Sequence, residues 1–92
     1  MELTSKERAR LRGLANSQAP THYVGREGIT PEFTESVDAA LERRELVKIG
    51  IQKSRPEEPK ALADTLAGRT RSQVVSVVGG KFVLYRKNKD KT

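Results

Sequence analysis

Polar and apolar positions along the chain follow two different periods, and each change of period marks a new element. Leu11 and Ala15 recur at helical spacing behind Thr4 and Glu7, which together form the Thr-x-x-Glu pattern of a helix capping box. The pattern predicts a first helix that ends within residues 16–20, because the residue before a proline avoids the helical region of backbone space.

Two more helices follow from start signals and spacing. Thr30 supplies an N-cap and Pro31 fits the first helical position, so a second helix with an acidic outer face is predicted over residues 31–44. A third helix is predicted over residues 59–68, with Gly68 near its C-terminal end, where glycine is common.

Four strands complete the pattern. The segment "THYVG" is a short strand, and "ELVKIGIQK" alternates so that Val47 and Ile49 share one face. The segments "QVVSVV" and "KFVLYR" meet at Gly79 and Gly80, a dipeptide suited to a hairpin turn. The order α-β-α-β-α-β-β predicts an α/β fold, a two-layer sandwich of a four-stranded mixed sheet packed with three helices. We expect parallel strands joined by right-handed crossovers and an antiparallel edge formed by the last hairpin.

Length and composition place the chain among small folded domains. Its 92 residues make one domain, which we expect to span residues 1–87 and to carry a disordered basic tail, residues 88–92. The turn-rich segment "SRPEEP" (residues 54–59) connects the second strand to the third helix. The sequence contains no cysteine, which excludes disulfides, thiolate metal sites and a thiol nucleophile. No apolar run is long enough to cross a bilayer, so we expect a cytoplasmic protein without membrane contact.

Positive charge is in excess and is unevenly distributed. Eighteen Lys and Arg residues stand against twelve Asp and Glu residues, for a net charge of +6, and the excess lies within residues 1–20 and 71–92. Clustered positive charge suits the binding of a polyanion such as RNA, because each neutralised phosphate releases counterions. A surface charged for solubility is the alternative that the composition leaves open.

Residues suited to catalysis or to metal binding are scarce. The only histidine, His22, has no acidic residue at a suggestive spacing. The acidic residues of the second predicted helix fit an exposed helix face better than a metal site; they are Glu32, Glu35, Asp38 and Glu42. Neither a Walker sequence nor a dinucleotide fingerprint is present. We therefore expect no enzyme activity, no cofactor, no metal and no small-molecule substrate.

The segment "YVGREGIT" holds the most informative motif. Gly25 and Gly28 enclose Arg26 and Glu27 between the first strand and the second helix. Such a pair is either an ordinary turn or a loop whose bare backbone lets a sugar-phosphate chain approach, with the amides of the helix N-terminus favouring an anion. Two glycines at this spacing do not by themselves decide between these alternatives.

Four segments, in their order and spacing, resemble a known family: "LTSKERARLRGLA", "YVGREGIT", "ALERRELVKIGI" and "VVSVVGGKFVLYR". They are similar to the YhbY family of small bacterial proteins, the single-domain form of the CRM (chloroplast RNA splicing and ribosome maturation) RNA-binding domain, over about residues 3–87. The resemblance implies a four-stranded mixed sheet, a G-x-x-G loop that forms part of an RNA surface, and association with precursors of the large ribosomal subunit.

The resemblance also implies candidate RNA-binding residues. The matching positions are the loop residues Gly25, Arg26, Glu27 and Gly28, the first-helix residues Arg10 and Arg12, and the last-strand residues Lys81, Tyr85 and Arg86, to which we add Lys48 of the second strand. Glu27 stands where relatives often carry neutral or basic residues, so its side chain should not bind a phosphate. Asn16 stands where relatives often have a histidine, which removes any inference built on that residue.

The expected partner is rRNA in large-subunit precursors, bound by a monomer. A protein-interaction module that docks a ribosomal protein or translation factor through the acidic second helix is the alternative. Arg26 could instead be a solvated turn residue. Tyr23 and Tyr85 are candidates for stacking on unpaired bases, although tyrosine in a small sheet more often belongs to the core or its rim.

Overall fold

The structure is a computed structural model that describes residues 3–52 and 59–87. Its elements, in chain order, are α1 (Ser5–Asn16), β1 (His22–Val24), α2 (Pro31–Arg44), β2 (Leu46–Ile51), α3 (Pro59–Thr70), β3 (Gln73–Val78) and β4 (Lys81–Tyr85). This order is the one that the sequence predicts. Among the described helices, none is long and apolar enough to span a bilayer. Most of the predicted connection at residues 54–59 and the predicted tail at residues 88–92 lie outside the described residues.

The first two helices begin where the sequence predicts, because their caps satisfy otherwise unpaired amides. The Glu7 amide donates to Thr4 Oγ1 (3.1 Å) and the Thr4 amide donates to Glu7 Oε1 (3.0 Å), which completes the capping box. Hydrogen bonding from Thr4, first from its backbone amide and then from its side chain, holds the pKa of the Glu7 carboxyl below its usual value. At α2, the Phe33 amide donates to Thr30 Oγ1 (3.1 Å), and Pro31 occupies the first helical position.

The end of α3 lies two residues later than the sequence predicts. The helix continues through Gly68 to Thr70, and Arg71 takes the left-handed backbone conformation (φ 57°) that glycine usually supplies. The Ser72 amide then donates to the Ala67 carbonyl (2.9 Å) and closes the helix end. Thr70 is only 1 % exposed, so the last turn of the helix is anchored in the interior.

The sheet has the strand order β1-β2-β4-β3. β1 pairs with β2 in parallel, and β4 runs antiparallel to both of its neighbours. The predicted mixed sheet with an antiparallel edge formed by the last hairpin is confirmed: β3 is the outer strand of that hairpin, and β4 lies inside the sheet. The reason is that Phe82, Val83 and Leu84 are all buried, which requires cover on both faces of β4. A bulge between Val74 and Ser76 interrupts the ladder between β3 and β4.

Helices cover both faces of the sheet. On one face, α2 and α3 enclose the main core, whose largest fully buried side chains are Phe82, Leu41, Ile49, Leu66 and Leu84. On the other face, α1 packs through Leu11 and Ala15 against Val83. The predicted two-layer arrangement holds for α2 and α3, and α1 adds a further layer, because β2 and β4 carry apolar side chains on both faces.

Arg86 joins the end of β4 to two helices. Its Nη1 donates to Asp38 Oδ1 on α2 and to the Thr70 carbonyl of α3 (2.8 Å). Its Nη2 donates to the Asp38 carbonyl and to Glu42 Oε2, both at 3.1 Å. The Arg86 side chain is 19 % exposed, and charge-assisted hydrogen bonds of this kind are about twice as strong as neutral ones. Arg86 is therefore a structural clamp.

We expect Arg86→Met to lower the free energy of unfolding by about 1–3 kcal/mol, because the Thr70 carbonyl loses its donor and α2 loses its tie to β4. Arg86→Lys should recover only part of the loss, since an ammonium cannot reproduce the planar fork of a guanidinium. Urea denaturation followed by circular dichroism measures the change. Lys87→Met, at the exposed neighbouring position, is the matched control. Equal stability of the Arg86→Met and Lys87→Met proteins would contradict the clamp.

Candidate nucleic-acid interface

The G-x-x-G segment is a tight turn directly after β1. The Gly28 amide donates to the Gly25 carbonyl (3.1 Å), and the exposed residues Arg26 and Glu27 form the tip. Gly28 has a φ of 76°, a conformation that residues with side chains rarely adopt, so the turn itself requires this glycine. Part of the motif is therefore explained as an ordinary turn.

Gly25 has no such requirement. Its φ lies outside the left-handed range, and a Cβ built at this position would meet only the side-chain amide of Gln52, at an ordinary distance of 3.8 Å. Neither backbone conformation nor packing explains why position 25 lacks a side chain. Its bare backbone leaves room for another chain to approach closely.

The turn lines a shallow depression of about 240 Å³ that is open to solvent. The lining residues are Gly25, Arg26, Glu27, Gly28, Thr30 and Phe33. A site for a small ligand usually buries most of that ligand, which this open depression does not do. Its shape suits a segment of a longer chain that passes across the surface.

The N-terminus of α2 offers fewer hydrogen-bond donors than the sequence suggests. Thr30 Oγ1 already accepts from the Phe33 amide, Pro31 has no amide hydrogen, and Glu32 places a carboxylate in the first turn. The Gly28 amide is used within the turn. Attraction for an anion near the loop therefore depends on basic side chains more than on the helix end.

Backbone hydrogen bonds bring two turns to the same end of the sheet. The Gln52 amide donates to the Val24 carbonyl, just before the G-x-x-G turn (3.2 Å), and the Ile51 amide donates to the Gly80 carbonyl (2.8 Å). The G-x-x-G turn and the β3–β4 hairpin turn thus lie side by side. We call this end of the sheet the loop end.

Sequence reasoning missed four residues that shape the loop. Thr30 and Phe33 line the depression, and the helix-start pattern that follows the loop could have indicated them. Gln52 lies beside Gly25, and Arg69 of α3 donates from Nη1 to the Ile29 carbonyl (3.2 Å). Both are distant from the loop in sequence, so only the tertiary structure reveals them.

The basic and aromatic candidates are divided between the two ends of the sheet. Lys81 is exposed at the loop end, whereas Tyr85 and Arg86 lie at the other end, about 13 Å or more along the strand. Tyr85 is half-buried beside α1, and burial raises the pKa of its hydroxyl. Arg10 is close enough to act on the same hydroxyl in the opposite sense. Arg12 is exposed on α1.

Lys48 and Arg86 are held by hydrogen bonds within the fold. Lys48 Nζ donates to the carbonyls of Ala15 (3.3 Å) and Gln18 (3.1 Å), at the C-terminal end of α1. Arg86 is engaged in the clamp between α2 and α3. A contact with RNA through either side chain would have to displace these hydrogen bonds.

The groups in contact with the His22 ring are neutral. Its Nδ1 is 2.8 Å from Thr21 Oγ1, its Nε2 is 3.0 Å from Ser36 Oγ, and its ring meets Phe33 edge-on at a centroid distance of 6.1 Å. Burial lowers the pKa of His22, and nearby arginines of α2 add to the decrease. Within residues 3–52 and 59–87, no three His, Cys, Asp or Glu side chains are grouped to hold a metal ion.

The family model described as the CRS1 / YhbY (CRM) domain matches the chain over residues 3–86. The chain belongs to the CRM domain family. This CRM domain is 33 % identical over 88 residues to the Bacillus subtilis "Probable RNA-binding protein YqeI", with 96 % of this chain and 92 % of that protein covered. A Pseudomonas aeruginosa protein, also named a probable RNA-binding protein, is 27 % identical over 88 residues, with 96 % and 85 % covered.

A solved structure supports the same assignment. The CRM domain superposes on the solution structure of the hypothetical protein SAV1595 from Staphylococcus aureus, itself named as a candidate RNA-binding protein, with a TM-score of 0.83 and 36 % identity. The superposition covers 99 % of this chain and 95 % of that one. The predicted family and fold are confirmed, and the match from residue 3 to 86 includes every described helix and strand.

The lowered pKa of His22 predicts a loss of stability in mild acid. The folded state favours the neutral imidazole, so the unfolded chain, in which the imidazole has its usual pKa of 6.5, binds more protons as the pH falls through that value. The contribution of His22 to the stability of the folded state is therefore fully present above pH 6.5 and decreases as the pH falls through 6.5. Urea denaturation of the wild type and of His22→Gln at about pH 7.5 and about pH 5.5 measures the effect. The free energy of unfolding of His22→Gln should fall less between these two pH values than that of the wild type. Equal losses in the two proteins would contradict a lowered pKa of His22.

Proposed function

We propose that this CRM domain binds RNA through its loop end. The observation that carries the proposal is Gly25, which lacks a side chain where neither its backbone conformation nor its neighbours prevent one. A sugar-phosphate backbone that passes over Gly25 would use this space. The net charge of +6 and the RNA-binding names of the relatives support the proposal.

Side chains around the loop supply the attraction for phosphate. Arg26 at the tip of the turn and Lys81 at the start of β4 are exposed cations of the loop end. Glu27 repels phosphate, so the RNA backbone approaches on the side of Arg26. Arg10 and Arg12 on α1 add an attraction of longer range, which steers RNA without reading its sequence.

We also propose a cellular role for the domain when it is bound to RNA. The domain would occupy or hold an rRNA element in precursors of the large ribosomal subunit, as a cytoplasmic monomer without chemistry of its own. The support for this role is the resemblance to the YhbY family, whose stand-alone bacterial members associate with such precursors. Crosslinking in cells, sorted into RNA and protein partners, tests it and identifies the rRNA element.

Docking of a protein through α2 has weaker support. The acidic row on this helix consists of Glu32, Glu35, Asp38 and Glu42. Arg86 binds the carboxylates of Asp38 and Glu42, so half of the row is already paired with a cation of the same chain. The charge that a basic partner would recognise is correspondingly smaller.

Gly25→Leu should weaken RNA binding by about 10-fold or more, because the new side chain fills the path of the RNA backbone. Stability should change little, since a Cβ at this position meets only the movable end of Gln52. Fluorescence anisotropy with a labelled single-stranded RNA and urea denaturation measure the two effects. Gly28 is unsuitable for this test, because its positive φ makes any substitution strain the turn.

Gly68→Leu is the matched control. Gly68 is an exposed glycine of α3, and no atom lies within 4 Å of a Cβ built there. This variant should bind RNA as the wild type does. If Gly25→Leu binds as tightly as Gly68→Leu, the RNA backbone does not pass over Gly25 and the proposal fails.

Binding should also weaken as salt is added. For single-stranded RNA, the logarithm of the binding constant falls against the logarithm of the salt concentration with a slope of about −0.7 for each phosphate contact. Arg26→Ala should make this slope shallower by about 0.7. Lys60→Ala removes an exposed cation of α3 that pairs with Asp64, and should leave the slope unchanged. A flat response of the wild type to salt would refute phosphate contact.

A further inference from the structure

The sheet face that carries α1 is only partly covered by that helix. Leu3, just before α1, packs against the same buried cluster as Tyr85, and Lys48 donates hydrogen bonds to the C-terminal end of the helix. On this face, Lys48 of β2 pairs with Val83 of β4. The next pair toward the loop end is Gly50 with Lys81. That pair therefore lies beyond the end of α1.

Four side-chain positions form a row across the sheet at this point. The open row, as we call it, consists of Tyr23 (β1), Gly50 (β2), Lys81 (β4) and Val78 (β3). All four positions face away from the main core, because a neighbouring residue on each strand packs into or against that core; these neighbours are Val24, Ile51, Phe82 and Val77. Tyr23 and Val78 are 57 % and 69 % exposed, two of the three exposed large apolar side chains among the described residues.

The ring of Tyr23 occupies the space that a side chain at position 50 would need. A Cβ built on Gly50 would lie 2.6 Å from Cε2 and 2.7 Å from Cδ2 of Tyr23. The glycine thus gives the ring a place against the sheet, while more than half of the tyrosine remains exposed. Tyr85 differs, since it is half-buried beside α1 at the far end of the sheet.

An exposed aromatic ring in the same row as a cation has the chemistry of a nucleobase site. A base can stack on Tyr23, and Lys81 in the same row can attract the adjoining phosphate. Gly25 is two residues beyond Tyr23, about 7 Å along the chain, so one RNA strand can contact both. Bases in a duplex are already stacked on one another and are not available to the ring.

We infer that the open row is a stacking site for one unpaired nucleobase, so that the loop end takes single-stranded RNA in preference to a duplex. The inference rests on the proposed function, because it specifies which form of RNA the same surface binds.

Fluorine NMR of protein labelled with 3-fluorotyrosine tests the contact directly. The chain has two tyrosines, and Tyr85→Phe leaves the resonance of Tyr23 alone for assignment. Addition of an oligoadenylate should shift the Tyr23 resonance and leave that of Tyr85 in place. The same oligoadenylate annealed to oligouridylate should bind more weakly and should not produce the shift.

Affinity measurements on variants test whether the ring contributes to binding. Tyr23→Leu should bind oligoadenylate roughly 5- to 150-fold more weakly, and Tyr23→Phe should bind as the wild type does, because stacking needs the ring and not the hydroxyl. Leu14→Ala removes a different exposed apolar side chain, on α1, and is the matched control.

Gly50→Ala is a second route to the same question. Its methyl group would take the place of the ring, so the exposed Tyr23 must swing away while the tyrosine itself is retained. Binding should fall as it does in Tyr23→Leu. Urea denaturation checks that each variant is folded. If Tyr23→Leu is unfolded, the loss of affinity in Gly50→Ala and the shift of the Tyr23 resonance in the wild type decide whether the ring contacts the base.

The outcomes separate the inference from the proposed function. Binding of oligoadenylate without a shift of the Tyr23 resonance, and with full affinity in Tyr23→Leu, would overturn the stacking site and leave RNA binding intact. A preference for the duplex would also overturn the inference. If the wild type binds neither form, the proposed function falls and the inference falls with it.

Discussion

The burial of β4 on both faces is the constraint on which the rest of this structure depends. Consecutive burial of Phe82, Val83 and Leu84 favours a position inside the sheet over one at its edge, and β4 inserts between β2 and β3. Its two faces then require cover from α1 on one side and from α2 and α3 on the other. The same insertion carries the turn at Gly80 to the end of β2, beside the G-x-x-G turn. The loop end is thus a consequence of how the core is packed.

Local patterns predicted the elements because each has a local physical cause. The caps at Thr4 and Thr30 and the alternation of β2 depend on neighbouring residues only. The end of α3 did not follow the local pattern, since a glycine signals a possible end, whereas the burial of Thr70 determines the actual one. The sequence did not predict that α1 forms a separate layer, because the apolar face of a helix does not indicate which side of the sheet the helix covers.

Side chains with long reach were the hardest to place from sequence. Lys48 and Arg86 resemble any other basic residue along the chain, and only the folded structure shows that carbonyls and carboxylates surround them. The contact between Tyr23 and Gly50 depends on the register of β1 against β2, which no local pattern specifies. The G-x-x-G turn was recognised because its spacing is local. Its two glycines differ, however, since Gly28 has a positive φ that the turn requires and Gly25 does not.

Both edges of the sheet are poor templates for a further strand. β1 contributes only three residues, and the bulge between Val74 and Ser76 breaks the regular ladder of β3. Short edges and bulges are the means by which natural sheets avoid edge-to-edge aggregation. Val78, the most exposed large apolar side chain among the described residues, ends one of these edges. The bulge therefore shortens the regular part of the β3 edge to which another copy could add a strand, although Val78 keeps an apolar surface in contact with water at the loop end.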